Sequence, residues 1–214
     1  MEDGLKKLEA TWVTVAWLKE PATAASASAD VMILKLAEED FEQLENDQLI
    51  VQGFMANRYV ATFEAEVTGW QRRLAMVSEI VQLLGEIQHT WSYLEPLFIG
   101  SDEVKRELAD VTLRFEKIDK DVKAILIEAG GARNVLGACD RDGLFSRLER
   151  IQEQLDLCKK SLADFLDGKR RQFPRFYFVS EADLLDILSN GSRPEQILQH
   201  MSKVFLATKT LELS

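Results

Sequence analysis

Gly168-Lys169 is the only Gly-Lys pair in the sequence, so any phosphate chemistry is best sought there first. A nucleotide-binding loop of the form GxxxxGK[ST] rings the phosphates with backbone amides, neutralises them with lysine and holds Mg²⁺ on a hydroxyl. Here Ala163 stands where the first glycine belongs and Arg170 where the hydroxyl belongs, so the loop cannot form. Gly130-Gly131 lacks a strand before it and reads as a helix terminator. His89 and His200 are isolated within helical patterns, and neither Cys139 nor Cys158 has a ligand or base at motif spacing. Cys158 falls on an apolar seam, as a small buried hydrophobe would, while Cys139 lies in a loop and reads as the more exposed thiol. Carboxylate pairs such as Glu38-Glu39 read as solvated helix charges. No catalytic, cofactor-binding or metal-binding residue is expected in this chain.

Charge narrows the partners. Thirty-six acidic against 26 basic residues leave a formal net charge of −10 over 214 residues, unsuited to a general binder of nucleic acid, anionic membrane or bare microtubule wall. Two cysteines are too few for a disulfide framework, which suits a reducing compartment. The opening MEDGLKKLEATW has no signal-peptide core, and no apolar run reaches the roughly 18 residues of a membrane span. A cytosolic or cytoskeletal protein is expected. Asn190-Gly191-Ser192 matches a glycosylation sequon but reads more simply as a helix stop.

Apolar residues recur at alternating steps of four and three in three long series, which predicts an all-α fold. Trp70, Leu74, Val77, Val81 and Leu84 begin the first, which Gln88 interrupts and Trp91 rejoins; it predicts a helix from about Thr68 to Leu94, ended by Pro96 and Gly100. Val104, Leu108, Val111, Phe115, Ile118, Val122 and Ile125 form the second, capped by Ser101 and closed by Gly130-Gly131. Leu144, Leu148, Ile151, Leu155, Cys158, Leu162 and Phe165 form the third, from Asp142-Gly143 to Gly168. Residues 68–168 are thus expected to be a bundle of three long antiparallel helices, as in a spectrin repeat.

Residues 1–67 read as an N-terminal helical segment: a first helix stopped by Pro21, a loop or frayed start of small residues from Ala22 to Ala29, and a second helix from about Asp30 to Phe63 with Gly53 as a weak point. Residues 169–214 read as a connector and two short helices, opened by Ser180 with Asp183 and by Ser192 with Glu195. Phe176 to Val179 has strand propensity without a partner strand and reads as extended. Lys169-Arg170-Arg171 complements a helix C-terminus or meets a partner; Phe173, Phe176 and Phe178 anchor the connector in a core or form a recognition patch. Burial of at least two of these rings is expected.

Several of these stretches together resemble the N-terminal linker region of dynein heavy chains. They are Trp91-Ser92-Tyr93-Leu94-Glu95-Pro96-Leu97-Phe98, then Lys169-Arg170-Arg171-Gln172-Phe173-Pro174-Arg175-Phe176-Tyr177-Phe178-Val179-Ser180, then Asp183 to Leu188 and Pro194 to Phe205. The wording of Leu49 to Leu108 is most similar to axonemal heavy chains of outer-arm type. The resemblance implies a mechanical arm, with Trp91, Tyr93, Glu95, Pro96, Phe98, Arg170, Phe173, Pro174, Arg175, Phe176, Tyr177 and Phe178 as structural or joint residues. It also implies ATP and Mg²⁺ in a C-terminal AAA+ ring of the same polypeptide, microtubules reached only through the parent motor, other dynein subunits as partners, and an axonemal place in a cilium or flagellum. A spectrin-like scaffold or tether, or a regulatory subunit that binds a partner helix, would share the heptads.

Overall fold

The computed structural model describes residues 1–22, 31–57, 59–190 and 194–205. Along the chain run α1 (Glu2–Thr14), β1 (Leu18–Pro21), β2 (Met32–Lys35), α2 (Glu38–Met55), α3 (Glu64–Gly100), α4 (Asp102–Glu107), α5 (Ala109–Gly130), α6 (Val135–Cys139), α7 (Leu144–Gln172), α8 (Glu181–Ser189) and α9 (Pro194–Val204). Short 3-10 turns lie at Val60–Thr62 and Pro174–Phe178. The fold is all-α apart from one two-stranded hairpin among the described residues.

The three heptad series form the body. Trp91 lies opposite Asp119 and Phe98 opposite Phe115, so residue numbers fall on α5 as they rise on α3 and the two helices are antiparallel. Glu128 near the end of α5 meets Arg147 near the start of α7, and Glu107, which closes α4 just before α5 begins, meets Lys169 near the end of α7, so α5 and α7 are antiparallel as well. Phe115, Ile118, Leu148, Ile151 and Leu155 are buried together, with Val111 packed at the edge. At about 1.5 Å per residue the 37 residues of α3 span about 55 Å, and α2, α5, α6 and α7 all pack against it.

The helix ends differ from the expectations in instructive ways. Pro96 does not stop α3, which continues to Gly100. Proline removes one amide and clashes with the preceding turn, but Pro96 itself is exposed, so water can serve the freed carbonyl while Leu94 and Phe98 on the inner face stay fully buried. The second series is divided at Leu108, whose ψ of 45° separates α4, which packs on α8, from α5, which packs on α3 and α7. Gly168 sits inside α7, which runs to Gln172 and takes Lys169, Arg170 and Arg171 as its last turn. Ser101 does cap α4 by accepting from the Val104 amide. Gly143, at φ +76°, supplies the left-handed turn that starts α7, a conformation that costs a side chain dearly.

The first 67 residues depart furthest. Helix α1 ends at Thr14, well before Pro21, and Pro21 closes β1, where a missing amide at an edge is tolerated. Strand β2 pairs antiparallel with β1, Leu18 opposite Lys35 and Pro21 opposite Met32. The expected helix from Asp30 is therefore shortened to α2, and Gly53 lies inside it without breaking it. The run of small residues from position 23 to 29 lies outside the described residues, as does Ser192 with its expected cap. One hydrophobic cluster runs from Leu5 to Val204.

Candidate functional site

What the chain holds at its centre is a set of buried polar groups that bind one helix to another. Trp12 and Trp91 are both fully buried, and a buried indole N–H needs an acceptor. Trp12 Nε1 donates to Asp47 Oδ2 at 3.0 Å, tying α1 to α2, and Trp91 Nε1 donates to Asp119 Oδ1 at 2.9 Å, tying α3 to α5. Each carboxylate has a second donor: Gln43 Nε2 at 2.7 Å for Asp47, Lys123 Nζ at 2.8 Å for Asp119. Gln88, the misfit in the first stripe, is buried and accounts for the hairpin. Its Oε1 accepts from the Leu34 amide at 2.7 Å and its Nε2 donates to the Leu34 carbonyl at 2.9 Å, so the side chain completes the open edge of β2.

The residues singled out by sequence divide between two places. Trp91, Glu95 and Phe98 are buried on α3, with the Phe98 ring stacked on Phe115 at 5.1 Å and 21°. Tyr93 lies on the outer face beside Glu181, and burial and that carboxylate together hold its hydroxyl above the ordinary phenol range. Pro96 is exposed one turn further on. Arg170 is half-buried with its guanidinium 4.0 Å from Glu181, so α7 and the start of α8 meet beside Tyr93.

The second place is the connector after α7. Pro174 opens a 3-10 turn, so Phe176 to Phe178 is coiled rather than extended. The expected burial of its aromatics is also wrong: Phe178 is 76% exposed, Tyr177 56% and Phe173 38%, and only Phe176 is tucked partly in. The tight turn places side chains on every side of a narrow coil, whereas an extended strand would have sent alternate rings to one face. Val179 is the buried anchor instead. Phe173 meets Phe176 edge-on at 4.8 Å, Tyr177 donates to Asp167 at 3.3 Å, and Arg175 lies 4.7 Å from the Phe205 ring.

The titratable groups that looked isolated also find partners. His200 is buried between α8 and α9, its Nε2 2.5 Å from Asp186 Oδ2 and its Nδ1 3.3 Å from Asp183 Oδ1. Lys203 reaches Asp183 at 2.8 Å; hydrogen bonds from Lys203 and then Ser180 hold that carboxyl below its usual range. Ser180 caps α8 as expected. Cys139 is buried in α6, not exposed, and burial pushes its thiol up to about 12. Cys158 is buried on its seam, and its thiol is raised by the same cause. Among the described residues no group of three or more His, Cys, Asp or Glu is placed to hold a metal ion, and no helix is long and apolar enough to cross a membrane.

These features define a structural segment, a rod of packed helices whose polar groups fasten helix to helix. The family model for the dynein heavy chain, N-terminal region 2, matches residues 1–214. The dynein alpha chain of the flagellar outer arm of Chlamydomonas reinhardtii is 49% identical over 213 residues, which is 100% of this chain and 5% of that protein. The ciliary dynein beta chain of Tripneustes gratilla is 43% identical and human dynein axonemal heavy chain 17 is 41% identical, each over 205 residues, 96% of this chain and 4% of theirs. The chain belongs to the dynein heavy chain family. It spans about a twentieth of the length of these relatives.

Proposed function

We propose that this chain is part of the mechanical linker of an axonemal dynein, the arm that carries ATP-driven changes in an AAA+ ring of the same polypeptide into microtubule movement. The observation that carries the reading is α3: a helix of 37 residues, buried along one side from Val67 to Phe98 and bonded crosswise to β2 and α5. An arm must transmit force without bending everywhere, and a long helix packed against several others and fastened to them at fixed points is stiff between its joints. ATP and Mg²⁺ would be held in the ring of the parent chain, microtubules would be met only through the parent motor, and further dynein subunits would be its neighbours in the cilium or flagellum.

Pro174→Gly in the intact motor tests the reading. Proline restricts the backbone at the start of the 3-10 turn, and glycine would loosen the joint while leaving the helices on either side in place. ATP turnover should persist while microtubule gliding slows. Equal loss of both activities would indicate a direct contact with the ring, and loss of neither would remove the case for a mechanical joint there.

A further inference from the structure

Between β2, the middle of α3 and the start of α2 lies a groove of about 500 Å³, lined by Pro21, Ile33, Leu36, Phe41 and Val81, apolar side chains that the fold leaves half or more open to water. Its size suits one or two large side chains. Gly85 lines it from α3, although a glycine inside a helix costs stability relative to alanine. Nothing in this chain requires that glycine: a Cβ there would meet no atom within 4 Å. Bare helix backbone beside apolar walls lets another chain approach closely.

Helix α2 gives the groove its sign. Residues 36–57 carry Glu38, Glu39, Asp40, Glu42, Glu45 and Asp47 and no lysine or arginine. Glu38, Glu42 and Glu45 are exposed on the turns around Phe41, and none is paired with a cation among the described residues. At spacings of four and three they repel one another, which an arriving cation would relieve. Lys35 on the groove's rim is already held by Glu20 at 2.6 Å. We propose that this groove docks a cationic segment of a subunit distinct from the heavy chain. The segment sets one large apolar side chain among Ile33, Phe41 and Val81, and Lys or Arg against Glu38, Glu42 and Glu45. A second copy of this chain, itself at −10, would bring acid against acid, and nucleic acid or an anionic membrane would be repelled in the same way. The assignment rests on shape and charge, not on the lever role.

Phe41→p-benzoylphenylalanine in the intact heavy chain, irradiated within its dynein complex, reads the occupant directly. The adduct should fall on a subunit other than a heavy chain, at a stretch where Lys or Arg flanks a large apolar side chain. Adding Gly85→Leu should cut the yield at least about tenfold by closing the approach to α3. The melting temperature should not fall, since leucine favours the helix and its Cβ meets nothing. Glu42→Gln with Glu45→Gln should lower the yield and weaken its decline with added salt. No adduct, an adduct within a heavy chain or on a stretch without cations, or a yield that neither set of substitutions alters overturns the proposal. The lever reading stands or falls separately, on gliding speed.

Discussion

Gln88→Leu removes both hydrogen bonds that hold the centre of β2 to α3 while keeping the side chain's bulk. The Leu34 amide and carbonyl lose their partner, and Leu34 itself is 2% exposed, so neither group has full access to water. A buried backbone group left without a partner costs about 1–3 kcal/mol, which sets about 2–6 kcal/mol for the two. Gln88 also lines a groove of about 500 Å³ with Ile33, Leu34, Val81 and Gly85, and water entering there would relieve part of the loss. A destabilisation of about 3 kcal/mol is expected, about 6–12 °C in melting temperature for a cooperative unit of this size. The hairpin can also unlatch alone, so hydrogen exchange is the sharper assay. In the β1–β2 ladder the amides of Ile33 and Lys35 point at β1 and away from Gln88, and they report on the hairpin without being touched by the substitution. Their exchange should quicken about a hundredfold, the equivalent of about 3 kcal/mol. Unchanged exchange at both amides together with an unchanged melting temperature would show that Gln88 does not hold the hairpin.

Two further outcomes follow from the same packing. Phe115→Ala should cost about 3–5 kcal/mol in urea unfolding, since it empties a fully buried site and strips the stacked partner from Phe98; an unaltered midpoint would place the α5 stripe in solvent. Cys139 and Cys158 should resist thiol reagents in the folded chain and react on unfolding. Because burial raises the Cys139 thiol from 9.0 to about 12, the unfolded chain ionises first, so stability is fully present below about pH 9 and falls from there towards pH 12; Cys139→Ala should flatten that alkaline limb.

The body of the fold was legible because its signal is local and repeated. Phe115, Ile118, Leu148, Ile151 and Leu155 fall at heptad spacing and all are buried, since a long helix must hide one stripe wherever it packs. The hairpin was not legible because its cause is elsewhere in the chain. Strand β1 is exposed at every residue and β2 is four residues long, too short for alternation to stand out, and the pair is held by Gln88, 54 positions from Leu34. The misfit at Gln88 was visible, and a polar side chain breaking an apolar stripe is the signal that a backbone is captured there. Asp47 and Asp119 could have been sought from Trp12 and Trp91, because each buried indole requires an acceptor. The exposure of the connector's aromatics could not be read, because it depends on whether the stretch is extended or wound into a 3-10 turn, which sends its rings to different sides.

The distribution of these polar ties bears on stiffness. A heptad seam resists separation of two helices but resists sliding weakly, because advancing one helix by a turn brings apolar side chains against apolar side chains again. Bending a bundle requires such sliding, as bending a stack of boards requires the boards to slip. A hydrogen bond from a fixed point on one helix to a fixed point on its neighbour opposes slip, since displacement by one turn, about 5.4 Å, breaks it and strands a buried polar group. Trp91 to Asp119 and Gln88 to Leu34 lie three residues apart on α3, in the half nearer Pro96, so α5 and the hairpin are pinned to α3 at almost the same height. Beyond them lie Pro96, where one amide is missing, and Leu108, where the helix direction is reset. The pinned level and the interrupted level are thus adjacent. Gln88→Leu should therefore lower the stiffness of this helical segment as well as its stability. Asp119→Asn, which keeps an acceptor for Trp91, should lower neither as much.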